Sequence, residues 1–246
     1  MPLTFAHPAA VLPFSRNSRY VDFLAMVLGS MSPDFEYFLR GMPYGEIGHT
    51  LSGFICFNLP IVIIVYWIYK FYIHQTLFSN LPSILQESSP KKVRSTRWLK
   101  VIVFLYSALF GMVTHVVWDS FTHLDGFMVR NFPFLHYPVE ISHYPIPIFK
   151  FLQHGGTLVG LLAIIAYMYF RAAKNRANND RNTSPKQKVM YWGQIALLTA
   201  LLFCFWFLID EVSMKSFGIM VVRIIDSALI SLLVVSLYFN YKCHGD

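Results

Sequence analysis

The stretch His115-Val-Val-Trp-Asp119-Ser-Phe-Thr-His123 sets two imidazoles and a carboxylate at intervals of four residues. On a helix those positions share one face. Imidazole nitrogen and carboxylate oxygen are donors that divalent zinc accepts. The same residues can also form a hydrogen-bonded polar pair inside a helical bundle. They lie, however, at the end of an apolar run, Leu99 to Phe121, long enough to cross a bilayer. Ionisable groups in such runs are costly and usually functional.

Four more residues offer the same chemistry: His7, Asp34, His49 and His154. Chemically active zinc sites use His and Asp ligands and keep one position for water. The ion makes hydroxide available at neutral pH, and two ions can clamp an in-line displacement. Asp119, between two histidines, is placed to bridge two ions. His49, His115 and Asp119, with Asp34, form one ligand set, and His7 with Asp119 begins a second. His123 and His154 are further ligands. Asp34 is alternatively the base that takes the proton from the attacking water.

The elements that must position these groups are those of an integral membrane protein. The chain has 246 residues, is 55% hydrophobic and only 13% charged, which predicts one all-α polytopic membrane domain over 1–246. Within it, 1–160 would hold the metal-site core and 161–246 additional transmembrane helices. The net charge of +7 is concentrated in two short loops, as in cytoplasmic loops of membrane proteins, and does not indicate nucleic acid. Three scattered cysteines (Cys56, Cys204 and Cys243) form neither a disulfide framework nor a CxxC site. No cleavable signal peptide is evident at the N terminus.

Five crossings are expected: Leu51 to Ile73, Leu99 to Phe121, a third opening at His154-Gly-Gly and ending near Phe170, Val189 to Ile209, and Phe217 to Phe239. Pro60 predicts a kink in the first. Tyr20 to Met31 is apolar but rises only about 18 Å, against a hydrocarbon core of about 30 Å, so it reads as a half-span. Ser32-Pro33-Asp34 suits a helix start, and Asp34 and Glu36 can both complement a helix dipole. Lys91, Lys92, Arg94, Arg97 and Lys100 mark one cytoplasmic loop, and Arg171, Lys174, Arg176, Arg181, Lys186 and Lys188 the other. This topology puts His49, His115, Asp119, His123 and His154 at one non-cytoplasmic face, with Asp34. His7 joins them only if the half-span returns to its own side, which we expect, with the N terminus outside.

Thr122 to Gln153 is an outer loop rich in proline and aromatics, either a lid over the site or an interfacial belt; of the two, the lid is preferred. Its His136 and His143 read as loop residues, His74 and His244 as interfacial or solvated ones. Arg223 and Asp226 stand three apart in the last span and suit an ion pair, although Arg223, near the outer end, also suits an anionic headgroup as a substrate contact. Asp210 and Glu211 suit a turn facing water.

The stretches Pro2-Leu-Thr-Phe-Ala-His7-Pro8, Gly29-Ser-Met-Ser-Pro33-Asp34-Phe-Glu-Tyr, His49-Thr50, His115 to His123 and Gln153-His154-Gly-Gly-Thr157 resemble a bacterial membrane family of unknown function. That family is similar to families labelled membrane-bound metal-dependent hydrolases. By motif the resemblance covers Met1 to Gly160, and beyond that only hydropathy.

More distantly, the order His7, Asp34, His49, His115-x3-Asp119, His123, His154 resembles the zinc-dependent phospholipase C and single-strand nuclease superfamily. It implies a helical core and a three-zinc cluster that cleaves phosphoesters. By order, His49, His115, Asp119 and Asp34 would surround the first metal, His7 and Asp119 another, and His123 with His154 the remaining one. Leu158 stands where that superfamily has a carboxylate, and Met1 where it has a metal-binding terminal tryptophan. One or two ions are therefore expected rather than three.

Together these features predict a metal-dependent, zinc-type hydrolase of the bacterial cytoplasmic membrane, with its site at the non-cytoplasmic face. Its substrate would be a lipid or lipid-linked phosphoester reached through the bilayer. The alternative is a non-catalytic metal-binding protein, a transporter component or a structural factor. A polar path through the bundle would favour transport, and the sequence offers only Arg223 and Asp226 for one.

Overall fold

The structure, a computed structural model, describes residues 3–14, 16, 18–86, 96–141, 144–174, 183–210 and 216–245. The expectations for Lys91, Lys92, Arg94, His143, Arg176, Arg181 and Glu211 fall outside them, as does the side chain of His244. The chain is all-α apart from one two-stranded hairpin. Among the described residues, five helices are long and apolar enough to cross a membrane: α3 (Leu51–Asn80), α4 (Arg97–Ser120), α6 (Ile148–Lys174), α7 (Pro185–Ile209) and the Phe217–Tyr241 part of α8 (Phe217–Gly245). The chain is a polytopic helical membrane bundle, as its hydropathy predicts.

Two compact units interleave along the sequence. The first comprises 1–34, 47–62 and 89–170. It opens with a 3-10 helix, Thr4–Val11, followed by α1 (Phe23–Met31). Asp22 caps α1 by accepting from the Ala25 amide at 3.0 Å. Nine residues rise about 14 Å, which fits the expected half-span. A 3-10 turn, Ser32–Asp34, continues from it directly and a helix follows at Phe35, so Asp34 sits in a buried turn at a helix start, as its sequence suggests.

α1 packs on α4 through glycines. A Cβ on Gly29 would lie 2.2 Å from the Ala108 carbonyl oxygen, and one on Gly111 would lie 2.2 Å from that of Met26. Only residues without a side chain allow two backbones this close. In α3 a wide π-turn, Phe54–Asn58, lies just before Pro60, with the Leu59 amide bonded to the Phe54 carbonyl.

The segment between the second and third long helices carries elements of its own. α5 (Phe127–Asn131), a 3-10 turn at Pro133–His136 and the hairpin β1 (Pro138–Ile141) with β2 (Tyr144–Pro147) enclose a small core of Val129, Leu135 and Phe149. α6 begins at Ile148, six residues before the expected opening at His154. His136 Nε2 lies 3.1 Å from the Val129 carbonyl and closes that segment.

The second unit comprises 35–46, 63–88 and 171–246: α2 (Phe35–Arg40), the rest of α3, α7 and α8. Glu36 is buried, pairs with Arg40 at 2.8 Å and accepts from the Glu46 amide at 3.0 Å. It therefore does more than complement a dipole. Tyr191, Ile195, Val235 and Phe239 form the core between α7 and α8.

Candidate metal centre

α4 presents His115 and Asp119 one turn apart on the face that meets α1. Both are buried. The helix ends at Ser120, so His123 is not on the helical stripe that the spacing suggested. A tight turn, with the Thr122 and His123 amides both bonded to the Asp119 carbonyl at 3.0 Å, folds it back instead. His123 Nδ1 donates to the same carbonyl at 3.1 Å and lies 3.6 Å from Asp119 Oδ1.

Asp34, from the turn after α1, and His49, from the loop before α3, complete the group. One ligand atom from each of Asp34, His49, His115 and Asp119 lies within 4.8 Å of the others. His115 Nε2 is 3.2 Å from Asp119 Oδ2 and 3.5 Å from Asp34 Oδ1. His49 Nε2 is 3.5 Å and 3.7 Å from the same two oxygens. A tetrahedron of ligands about 2.0–2.2 Å from zinc has edges of about 3.3–3.6 Å. The four His–Asp contacts, 3.2–3.7 Å, lie close to that range.

The protonation pattern points the same way. His115 Nδ1 is 2.7 Å from the Ser30 carbonyl, which can only accept, so Nδ1 carries the proton and Nε2 is left to face the two carboxylates. Nε2, Asp34 Oδ1 and Asp119 Oδ1 are all buried without a hydrogen-bond partner. Two carboxylates gathered in a buried place call for positive charge between them, which a metal ion or a protonated imidazole supplies. Asp34 Oδ2 is held by the Thr4 hydroxyl at 2.6 Å, which aims Oδ1 at the group. The set therefore has the chemistry and spacing to hold a metal ion.

His7 lies beside this group. It is 1% exposed, stacks on His115 at 3.8 Å, and places Nε2 3.5 Å from Asp119 Oδ1. Neither of its ring nitrogens has a hydrogen-bond partner. Burial, reinforced by His115 and opposed by Asp119, pushes its pKa down to about 3. Burial also lowers that of His123. Asp119 thus turns Oδ2 to His49 and His115, and Oδ1 to His7 and His123. His154 is exposed on α6 and is not one of the four grouped residues.

Sequence reasoning did not single out Thr4, Ser30 or the Gly29–Gly111 contact. The signal available for the last was Gly111, one turn before His115 on the same face. Arg223 pairs with Asp210 beyond the end of α7 and stacks over Trp206 at 5.0 Å, rather than pairing with Asp226. A long helical side chain reaches back toward its own N terminus, which carries this guanidinium away from Asp226.

Compared with known proteins, residues 1–237 match the family described as a domain of unknown function, DUF4184. The match extends well past the Met1–Gly160 motifs. No curated protein and no solved structure matches the chain, so the resemblance to the phospholipase C and nuclease superfamily gains no support from them.

Proposed function

Since the chain belongs to the DUF4184 family, whose description assigns no activity, we propose from the site itself that it is a membrane-embedded metal-dependent hydrolase of phosphoesters. The observation carrying this reading is the convergence of two imidazole nitrogens and two carboxylate oxygens within 4.8 Å of one another, three of the four residues being buried. A bound divalent ion, zinc by donor type, would supply a water acidic enough to act at neutral pH.

The residues divide the work. Asp34, His49, His115 and Asp119 hold the ion. Ser30 fixes the His115 tautomer and Thr4 orients Asp34. His7 and the second oxygen of Asp119, with His123, give a partial set for a second ion. Alternatively a water takes the place of Asp34 on the ion, and Asp34 is then the group that receives that water's proton. Water adds to phosphorus, the ester oxygen departs, and that proton completes the alcohol product. His49, with its side chain 31% exposed, is the edge from which a substrate reaches the group. A lipid or lipid-linked phosphoester at the non-cytoplasmic leaflet fits a site at the end of a span.

A structural metal site is the second reading, favoured by one observation: the group offers four protein ligands, the number that closed structural sites use. Metal analysis of the detergent-purified protein tests the premise common to both. We expect at least one divalent ion per chain, lost in His115→Ala and in Asp119→Ala. Unchanged content in both variants would overturn the centre. Release of phosphate or alcohol from phospholipids or isoprenoid phosphates by the loaded wild type, absent in Asp34→Asn, then separates hydrolase from staple.

A further inference from the structure

The second unit carries a polar seam inside a span. On α8, Asp226 is 8% exposed, and Ser227, Ser231 and Ser236 are fully buried. Tyr191 on α7 bonds to Ser236 at 2.9 Å, and Arg223 on α8 stacks over Trp206 on α7. These two contacts fix the antiparallel register of α7 and α8. In that register Thr199 falls level with the Ser227–Ser231 turn. Asp226 Oδ2, Ser227 Oγ and Thr199 Oγ1 are each buried without a hydrogen-bond partner.

Charge decides what this place holds. Arg223 is matched by Asp210 through Nη2, and its Nε and Nη1, though buried without a hydrogen-bond partner, form no ion pair with Asp226, which leaves Asp226 uncompensated. The elements packed on α8 carry Lys186, Lys188 and Asp210 on α7, Glu36 and Arg40 on α2, and Lys70 and His74 on α3. Among the described residues none of these forms an ion pair with Asp226. An isolated carboxylate in a low-dielectric interior is too costly to persist, so it is neutralised by whatever cation can reach it. Carboxylate and hydroxyl oxygens, with no imidazole or thiol among the orphaned groups, suit a hard monovalent ion or a proton rather than zinc.

We propose that the second unit binds an exchangeable monovalent cation, a proton or sodium, at Asp226, with Ser227 and Thr199 as neighbouring oxygens. The polar groups continue along α8 as an access route. Ser231 is followed by the Ser236–Tyr191 pair and then by Asn240, which is bonded to Thr76. Asp226 to Asn240 spans about 21 Å at 1.5 Å per residue. Such a site makes this unit an ion-responsive element rather than an anchor alone.

Dicyclohexylcarbodiimide, which modifies protonated carboxyl groups in apolar surroundings, tests the site in the full-length protein in liposomes. Peptide mass analysis is expected to find Asp226 modified in sodium-free, mildly acidic buffer and unmodified in Asp226→Asn. Sodium is the occupant if sodium chloride, but not choline chloride, slows the reaction by about tenfold at about ten times its Kd. In that case Ser227→Ala weakens the protection while leaving Asp226 reactive. A proton is the occupant if only rising pH slows it. No modification of Asp226, or a rate indifferent to both sodium and pH, overturns the proposal.

Discussion

Thr4 lies outside the ligand group, yet its hydroxyl donates to Asp34 Oδ2 at 2.6 Å and so decides which carboxylate oxygen faces inward. Outer partners of metal ligands commonly contribute a factor of about 10–100 in affinity, and Thr4→Val, nearly isosteric, should weaken zinc retention against a competing chelator by that order without changing the helical circular dichroism. Unaltered retention would remove Thr4 from the design. His7 yields a pH prediction. Its folded pKa of about 3 lies below the ordinary 6.5, so between those values the unfolded chain binds a proton that the folded chain does not. Stability therefore falls as the pH drops through that window. Metal-free protein in detergent should melt lower at pH 5 than at pH 7, and His7→Gln should flatten that dependence; an equal slope in both refutes it. At this scale the sequence made most ligand types legible, because a polar residue in an apolar run stands out. Thr4 and Ser30 stayed hidden because their roles depend on contacts 30 and 85 residues away. Likewise the i, i+3 spacing of Arg223 and Asp226 could not show that the guanidinium reaches Asp210.

Helix α4 positions two ligands only because α1 can approach its backbone. The Ser30 carbonyl meets His115 one residue beyond the Gly29 contact, and Gly111 lies one helical turn before His115. Gly111→Ala would put a methyl 2.2 Å from a backbone oxygen, so the helices must separate. Overpacking typically costs about 1–3 kcal/mol, more than the gain of up to about 1 kcal/mol from replacing a helical glycine. The variant should melt lower and hold less metal. Gly155→Ala, where nothing lies within 4 Å of the new methyl, should match or exceed wild type on both measures. Equal behaviour of the two variants would mean that the close approach does not set the site. Periodicity and length made the five spans and the half-span legible to within a few residues at most ends. The span end expected at Phe121 lies within one residue of the observed one, but the spacing of four carries His123 onto the helical face, whereas the backbone turns after Ser120.

Five spans with the metal ligands gathered in one unit leave the sidedness of the whole molecule to be settled by charge. Basic residues accumulate in cytoplasmic loops, and both basic stretches follow odd-to-even transitions of the span order, 3 to 4 and 1 to 2. The segment between the second and third spans, which continues from His123, should then lie outside. What hydropathy could not reveal is that the two units interleave, because it reads segments singly while packing joins residues far apart in sequence. The sidedness is testable in a variant lacking Cys56, Cys204 and Cys243. A single cysteine at Glu140, in the exposed hairpin, should react with a membrane-impermeant maleimide on intact cells. One at Lys186, exposed at the start of α7, should react only after the cells are permeabilised. If the centre opens on the same side as Glu140, an impermeant chelator added to intact cells should also strip the metal and abolish the phosphoesterase activity, and added zinc should restore both. The reverse labelling pattern, together with a chelator that acts only on broken cells, would move the metal centre to the cytoplasmic face and with it the leaflet from which any lipid substrate must come.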